Sequence, residues 1–325
     1  MAFSIYDDPS LLARQVEEEL RESAPKSAAR NLLILIVSLA LFVMVLTPGT
    51  GIIGVVVLVV VVFIHEMGHL IAMRLFGYRD IQMFFIPFFG AAVSGVETSP
   101  NGTKRALVAL AGPLPGIILG LICTIALHAT RQPIFMTAAR DFLFINTFNL
   151  LPFVPLDGGR YLEAVLFSRH PMLRAVSDGV AAIALGYLAI LLKAPLLIVL
   201  AVFQLLAVKR TYASGRLAQR IKQELDTRTI ADTEPVESRA TVERIPWPYV
   251  ERLTPIVATH VPEAQQSDPK AIAVALRRVW NLVWFKPPSA AASIGLLALF
   301  AICVVGGVIV TIGAELSFQP PATRP

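Results

Sequence analysis

Residues 51–69 read GIIGVVVLVVVVFIHEMGH, an apolar run that ends in two histidines with a glutamate between them. The first fourteen of these residues carry no charged side chain. His65 and His69 are four residues apart, so on a helix both side chains project from the same face. Two imidazoles at this spacing can bind one zinc ion, and Glu66 can act as a base on a water molecule that the metal activates.

The apolar setting makes this short pattern more specific than it would be in a soluble protein. A charged side chain at the centre of a membrane helix costs about 2.5–3.5 kcal/mol, so such groups usually face an internal cavity and serve a function. The alternative is that His65 and Glu66 lie at the membrane interface, where polar groups cost little. The pattern favours a metal site within a membrane helix.

Composition supports a membrane location for much of the chain. Of its 325 residues, 55% are hydrophobic and 16% are charged, whereas soluble domains have about 45–50% and about 25%. Two cysteines can form neither a disulfide framework nor a four-cysteine zinc site. The net charge of +5 is mild, and without a clustered basic face it does not favour a nucleic-acid partner.

The uncharged segments predict several membrane spans. Residues 31–64 would form a helix of about 51 Å, too long for a hydrocarbon core of about 30 Å. Turn residues at 47–51, TPGTG, therefore predict two helices, at 31–47 and 52–76. Residues 179–208 form either a hairpin of two short spans or one tilted helix. Further spans are expected at 106–129, 134–153 and 289–313.

Charge placement orients these spans. Lysines and arginines gather before the first span, after the second and fourth spans, and after residue 208, so the positive-inside rule places all of these segments in the cytoplasm. This favours a hairpin at 179–208, although Arg131 and Arg140 then lie on the outer side. The expected parts are a cytoplasmic N-terminal amphipathic segment, a transmembrane core, a soluble cytoplasmic region, a last transmembrane helix and a tail, at 1–30, 31–208, 209–288, 289–313 and 314–325.

The soluble region is expected to contain two amphipathic helices separated by a loop at 232–268. The first helix repeats apolar residues every four positions, at Leu217, Ile221 and Leu225. The second helix, 271–285, either lies on the membrane surface or packs on its own domain. Its apolar face consists of Ile272, Leu276, Val279, Trp280 and Val283. The N-terminal residues 8–21 are expected to form a capped surface helix.

A third zinc ligand must come from elsewhere, because zinc in hydrolases usually takes three protein ligands and a water. The candidate is Asp157 in the segment 149–159, NLLPFVPLDGG, at the end of the fourth span. Two prolines break the helix there, and irregular backbone at membrane depth is tolerated only inside protein or beside water. Taken alone, the segment is equally compatible with a loop in which Asp157 begins a turn before Gly158.

Together, the motifs at 65–69 and 149–159 resemble those of the site-2 protease family of intramembrane zinc metalloproteases. In that family, a helix with His-Glu-x-x-His precedes a later helix with Asn-x-x-Pro and Asp-Gly, as in this sequence. The resemblance covers residues 50–210 and departs from the family at 111–116, where Pro115-Gly116 occurs without the usual asparagine. Residues 111–116 are therefore expected to form a kinked helix packed closely on the catalytic one.

The resemblance implies roles for individual residues. It implies that one zinc ion is held by His65, His69 and Asp157. It also implies that Glu66 is the catalytic base and that Asn149 supports the substrate or the transition state. Residues 81–95 resemble the family's membrane-associated β-hairpin, whose edge can hold an extended substrate; the alternative is an interfacial loop.

We therefore expect an all-α polytopic membrane protein with a core of about six helices, a small β-hairpin and one extra C-terminal transmembrane helix. Its expected function is hydrolysis of peptide bonds in or near transmembrane segments, in regulated intramembrane proteolysis. The alternatives are a catalytically silent membrane scaffold and a metal-ion carrier that uses the same ligands. The expected partners are the lipid bilayer, a substrate with a transmembrane helix, and a second copy or a regulatory protein bound through 209–288.

Overall fold

The computed structural model describes residues 9–21, 28–86, 90–97, 100–152, 154–191, 193, 195–229, 245–262 and 265–318. The outer parts of the predicted segments 1–30 and 314–325 lie outside these residues, as do Phe153 and positions 87–89. The helices are α1 (Pro9–Arg21), α2 (Ala28–Leu75), α3 (Gly102–Ala111), α4 (Pro113–Thr130), α5 (Pro133–Asn149), α6 (Asp157–Val165), α7 (Pro171–Leu191), α8 (Pro195–Thr229), α9 (Trp247–Ala258), α10 (Pro269–Val283) and α11 (Ala290–Phe318).

Helices dominate the described chain, and the predicted fold class of an all-α polytopic membrane protein with a β-hairpin is confirmed. A shorter apolar helix covers Asn31–Val45, ahead of the first long one. The predicted span at 134–153 is α5, which has only 17 residues. Among the described residues, five helical stretches are long and apolar enough to cross a membrane: Gly51–Leu75, Gly102–Thr130, Met172–Leu191, Leu197–Gln223 and Ala290–Leu316.

The helix α2 is interrupted at Gly51, inside the predicted turn. Its φ of 72° and ψ of 163° lie outside any helical region and are readily adopted only by glycine. Phe42 and Val62, on either side of this break, are buried in one cluster, whereas a straight helix would separate them by about 30 Å. The chain therefore turns back at Gly51, and the predicted pair of helices is confirmed.

The segment 179–208 is a hairpin and not one tilted helix. The helices α7 and α8 pack against each other along their lengths. The Gln204 side chain of α8 donates a hydrogen bond to Asp178 Oδ1 of α7 at 3.0 Å, and both residues are buried. A polar pair between apolar helices fixes their register, because either group left alone would be buried without a partner.

The predicted β-hairpin is also present. Strands β1 (Arg79–Ile86) and β2 (Gly90–Val96) pair antiparallel, which rules out a plain interfacial loop. The hairpin packs on α2, where the rings of Phe85 and Phe42 lie 5.4 Å apart between centroids. The Ser38 hydroxyl accepts a hydrogen bond from the backbone N–H of Phe85 at 2.9 Å, so α2 holds the hairpin beside the metal-binding motif.

The remaining helices pack together with the end of α8 into a compact unit. This four-helix unit consists of α1, the end of α8 that follows residue 215, α9 and α10, which share one hydrophobic core. The described part of the predicted segment 1–30 therefore packs with 209–288. The largest of its fully buried side chains are Trp280, Ile272, Leu276 and Val16. The predicted apolar face of α10 is buried in this core, so α10 packs on its own domain and does not lie on the membrane.

The helix α1 is amphipathic, as expected of a surface helix: Ala13 and Val16 are fully buried, whereas Arg14 and Gln15 are exposed. One expectation for this unit is wrong. The loop predicted at 232–268 contains α9. Its prolines suggested a loop, but Pro248 lies in the first turn, where a helix tolerates proline. The side chain of Leu225 and residues 230–244 lie outside the described part of the chain.

All three tryptophans of the chain lie in the four-helix unit, so tryptophan fluorescence should report its unfolding selectively. Leu276→Ala removes a fully buried side chain and should destabilise the unit by about 2–5 kcal/mol. Thermal denaturation in detergent, followed by tryptophan emission, measures this change. Val274→Ala on the same helix, where Val274 is 61% exposed, should shift stability by less than about 0.5 kcal/mol. Equal shifts in both variants would contradict this packing.

Candidate metal centre

Three candidate ligand atoms converge in the membrane-embedded core. His65 Nε2 lies 3.2 Å from His69 Nε2, and Asp157 Oδ2 lies 3.0 Å from the first nitrogen and 3.1 Å from the second. All three residues are buried. Zinc held tetrahedrally at about 2.0–2.1 Å from each ligand requires ligand atoms about 3.3–3.5 Å apart. The donor set and its spacing therefore fit one zinc ion with small adjustments.

The second ring nitrogen of each histidine is also held. His65 Nδ1 lies 2.8 Å from Asn146 Oδ1, and His69 Nδ1 lies 2.8 Å from the carbonyl oxygen of Val108. Both partners are hydrogen-bond acceptors, so each Nδ1 carries the proton and each Nε2 presents a lone pair towards Asp157. This is the arrangement that fixes the tautomer and orientation of metal-binding histidines.

Close backbone packing brings these groups together. Gly68 lies so near α3 that an added Cβ would stand 1.9 Å from the carbonyl oxygen of Ala111. An added Cβ at Gly112 would stand 2.3 Å from His69 Nε2. Gly112 separates α3 from α4, which begins at Pro113. The expected kinked helix, packed closely on the helix that carries the histidines, is therefore present.

Asp157 is positioned by the irregular segment between α5 and α6. It is the first residue of α6, which lies beyond Pro152 and Pro155. An added Cβ at Gly158 would stand 2.2 Å from the carbonyl oxygen of Leu150, so only glycine allows the start of α6 to fold back onto the end of α5. This return places Asp157 against the two histidines, although they precede it by about ninety residues.

Glu66 and Asn149 line the same cavity of about 990 Å³ as the three candidate ligands. Glu66 is 7% exposed and lies beside His65 in sequence. The Asn149 side chain donates a hydrogen bond to the carbonyl oxygen of Ile145 at 3.0 Å, within its own helix. Asn149 is thus placed at the cavity and not against a histidine, and its predicted role in substrate support stays a prediction.

Asn146 is a site residue that the sequence reasoning missed. It is fully buried, and besides contacting His65 it donates to the carbonyl oxygen of Phe142 at 2.7 Å. The backbone of α4 makes room for it, since an added Cβ at Gly116 would stand 2.0 Å from the Asn146 side chain. An asparagine in the last turn of an apolar helix, three residues before Asn149, was the available signal.

Charged side chains occupy another wall of the cavity. Glu97 pairs with Arg105 at 2.6 Å, and Glu163 pairs with Arg174. Burial, together with the neighbouring Glu97 carboxylate, raises the pKa of Tyr78 above its ordinary value, so the phenol stays neutral at physiological pH. The cavity therefore joins a buried polar centre to a partly charged surface.

Comparison with known proteins finds relatives of the segment that contains His65, Glu66 and His69. Residues 53–142 match peptidase family M50. A zinc metalloprotease of Methanocaldococcus jannaschii is 29% identical over 125 residues, which are 37% of this chain and 36% of that protein. Stage IV sporulation protein FB of Bacillus subtilis is 31% identical over 127 residues, 36% of this chain and 42% of that protein. The chain thus spans well under half the length of these curated relatives.

One solved structure adds a partial similarity. The site-2 protease from Methanocaldococcus jannaschii aligns with a TM-score of 0.39 and 22% sequence identity, over 56% of this chain and 87% of that one. The family match ends at residue 142, so Asp157, the four-helix unit and α11 lie beyond it.

Asn146→Ala should weaken zinc binding by about 10–100-fold, because outer-shell partners of metal-binding histidines contribute to affinity on that scale. Competition with a chromophoric chelator measures the zinc dissociation constant of the purified protein in detergent. Asn149→Ala is the matched control on the same helix and should leave zinc affinity unchanged. An equal loss in both variants would show that α5 is disturbed as a whole and that Asn146 has no specific role.

Proposed function

We propose, from the match of residues 53–142 to peptidase family M50, that this chain is an intramembrane zinc metalloprotease. It hydrolyses peptide bonds in or near the transmembrane segments of membrane-protein substrates. The observation that carries the proposal is the buried convergence of His65, His69 and Asp157 beside Glu66, at the wall of a cavity large enough for a peptide segment.

In this proposal one zinc ion per chain is held by the Nε2 atoms of both histidines and by Asp157 Oδ2. When bound, zinc supplies Lewis-acid polarisation of a peptide carbonyl and lowers the pKa of a water molecule. Asn146 and the Val108 carbonyl support the proposal, because they already orient both imidazoles for binding through Nε2. A metal also offsets the cost of burying the Asp157 carboxylate.

Glu66 is the proposed proton carrier. Its carboxylate accepts a proton from the attacking water and returns it to the nitrogen of the departing amine. Glu66 is buried and lines the same cavity as the three candidate ligands, which supports this role. The cavity also offers a route for the water that hydrolysis consumes.

The substrate must reach Glu66 in an extended form, because helical hydrogen bonds shield the carbonyl groups of a transmembrane helix. Strand β2 lines the cavity through Ala91, Val93 and Gly95, and a strand edge can hold an extended peptide by backbone hydrogen bonds. In this proposal Asn149, which also lines the cavity, contacts the bound segment.

The proposed orientation places the four-helix unit and the N-terminus in the cytoplasm. The unit combines α1 with helices from 209–288, so these two parts lie on the same side of the membrane. This agrees with the hairpin at α7–α8, which returns the chain to its starting side, and with the distribution of lysine and arginine. The unit is also the proposed surface for a regulatory partner or a second copy.

Two other functions use the same ligands. A catalytically silent scaffold would bind membrane proteins without cutting them. A metal-ion carrier would move zinc across the membrane of a vesicle. Glu66 favours the protease over both, because neither binding nor transport requires a buried carboxylate positioned as a base beside the metal ligands.

Glu66→Gln should reduce cleavage of single-span membrane peptides by at least about 10³-fold, because it removes the proton acceptor. It should keep about one zinc per chain. Mass spectrometry of peptide products and zinc analysis of the purified protein measure the two properties. Glu251→Gln, at an exposed position on α9, is the matched control and should cleave like the wild type.

Other outcomes separate the competing functions. If Glu66→Gln cleaves normally, the proposed proton carrier is wrong. Zinc transport into vesicles that persists in Glu66→Gln would identify a carrier. If the wild type binds zinc and cuts none of a broad panel of single-span peptides, a scaffold is the better interpretation. If saturating zinc does not bind, the ligand assignment itself fails.

A further inference from the structure

Most of the charged side chains that line the cavity already have partners. Glu97 pairs with Arg105 at 2.6 Å, and the Arg105 guanidinium also lies 4.8 Å from the centroid of the Phe285 ring. Glu163 pairs with Arg174. Breaking such a pair to bind a substrate leaves one charge without its partner. These residues therefore form a fixed part of the cavity wall.

Arg160 differs from these residues. It lines the same cavity and is exposed, and its guanidinium makes no ion pair or hydrogen bond within the described part of the chain. Arg277, another cation of this wall, donates to the carbonyl oxygen of Leu20 at 3.0 Å. A guanidinium carries five N–H donors, so Arg160 presents a whole set of accessible donors to the cavity.

Arg160 also lies beside the candidate metal centre. It follows Asp157 by three residues on α6, so their Cβ atoms are about 5–6 Å apart on one side of the helix. The Arg160 guanidinium and the Glu66 carboxylate are near enough to attract each other. An extended peptide advances about 3.3–3.6 Å per residue. If its carbonyl group lies between Glu66 and Asp157, the residues on either side of that carbonyl come within reach of Arg160.

Zinc bound as proposed leaves the charge of Arg160 unbalanced. The two positive charges of the ion match the carboxylates of Asp157 and Glu66, which otherwise attract the guanidinium. A cleft with low-dielectric walls and an excess of one charge concentrates ligands of the opposite sign. The ligand that complements Arg160 in the zinc-loaded protein is therefore an anionic group.

We propose that Arg160 is a specificity-determining residue, whose guanidinium binds the carboxylate of an aspartate or glutamate within two residues of the substrate bond that is cut. This inference rests on the proposed protease function. An arginine–carboxylate pair can form two parallel N–H···O bonds, which an amide side chain does not match. Charged residues are rare within membrane segments, so this preference directs cleavage to the end of a substrate helix and away from its centre.

A series of peptides tests the proposal. A single-span peptide that the wild type cleaves is made with glutamate, glutamine or lysine at each of the two positions on either side of the cut bond. At one or more of these positions, kcat/KM for the glutamate peptide should exceed that for the glutamine peptide by about 3–10-fold, the scale of a partly solvated charge pair. The lysine peptide should be cut most slowly. Arg160→Gln should reduce the ratio between glutamate and glutamine to less than about twofold.

Two further variants separate charge from structure. Arg160→Lys keeps the positive charge and loses the planar set of donors, so it should retain a smaller preference for glutamate. Arg278→Gln makes the matched change at an exposed position of α10 that does not line the cavity, and it should keep the wild-type preference. Binding of fluorescent peptides to the zinc-loaded Glu66→Gln protein gives the same comparison without turnover. There, adding Arg160→Gln should weaken binding of the glutamate peptide by about 3–10-fold and leave the glutamine peptide within about twofold.

The results distinguish this inference from the function on which it rests. If the wild type cleaves the peptides without preferring glutamate at any position, or if the preference survives in Arg160→Gln, the inference is wrong and the protease proposal stands. An equal loss for all three peptides in Arg160→Gln assigns Arg160 to the fold or to the peptide backbone, which also overturns the inference. If the wild type neither binds nor cleaves any peptide, the proposed function fails and this inference fails with it.

Discussion

Burial of three polar ligand groups at one point is the constraint on which the core of this structure depends. Two imidazoles and a carboxylate lie within 3.2 Å of one another among apolar helices. Isolated polar groups in such surroundings cost several kcal/mol each unless they are paired or bind a metal. The surrounding helices therefore have to orient these groups, which they do through Asn146, the Val108 carbonyl and four glycines at close contacts, two against backbone (Gly68 and Gly158) and two against the side chains of His69 and Asn146 (Gly112 and Gly116). Substituting alanine for any of these glycines would push backbone or side-chain atoms apart.

The extra helix α11 packs on α5 and α6, which carry Asn146 and Asp157. The hydroxyl of Tyr161, one turn after Asp157 on α6, donates to the Leu296 carbonyl at 2.6 Å, and the ring stacks on Phe300. On α5, the Thr147 hydroxyl contacts that of Thr311 at 3.0 Å. The helix thus contacts both the element that carries Asp157 and the element that carries Asn146, which holds His65. A last helix that looks like an appendage in the sequence is part of the frame around the candidate metal centre.

The sequence predicts the features that depend on local spacing. The histidines four residues apart, the turn at Gly51 and the break around Pro152 all follow from the geometry of a few adjacent residues. Asn146 was missed because its role depends on which side of α5 faces His65, and two asparagines one turn apart offer no local way to choose. The helix α9 was missed because it contains two prolines, Pro248 in its first turn and Pro255 in its interior. Its helical structure depends on packing of Val250, Leu253 and Val257 in the shared core, which composition does not reveal. The packing of α1 on α10 joins segments more than 250 residues apart, and no periodicity can reveal such a contact.

The charged wall of the cavity could not be predicted from the sequence for the same reason, because it depends on contacts between distant segments. Arg105, Glu97 and Phe285 come from two distant segments, and each alone is typical of a solvated surface or an apolar core. Once α10 is anchored to Pro100 and Gly102, their proximity makes the four-helix unit inseparable from the cavity. A soluble unit attached by flexible linkers could be removed without changing the catalytic space. Here α8 runs as one helix from the membrane hairpin into the unit, and residues of α10 line the cavity, so a movement of the unit relative to the core would alter the shape of this cavity.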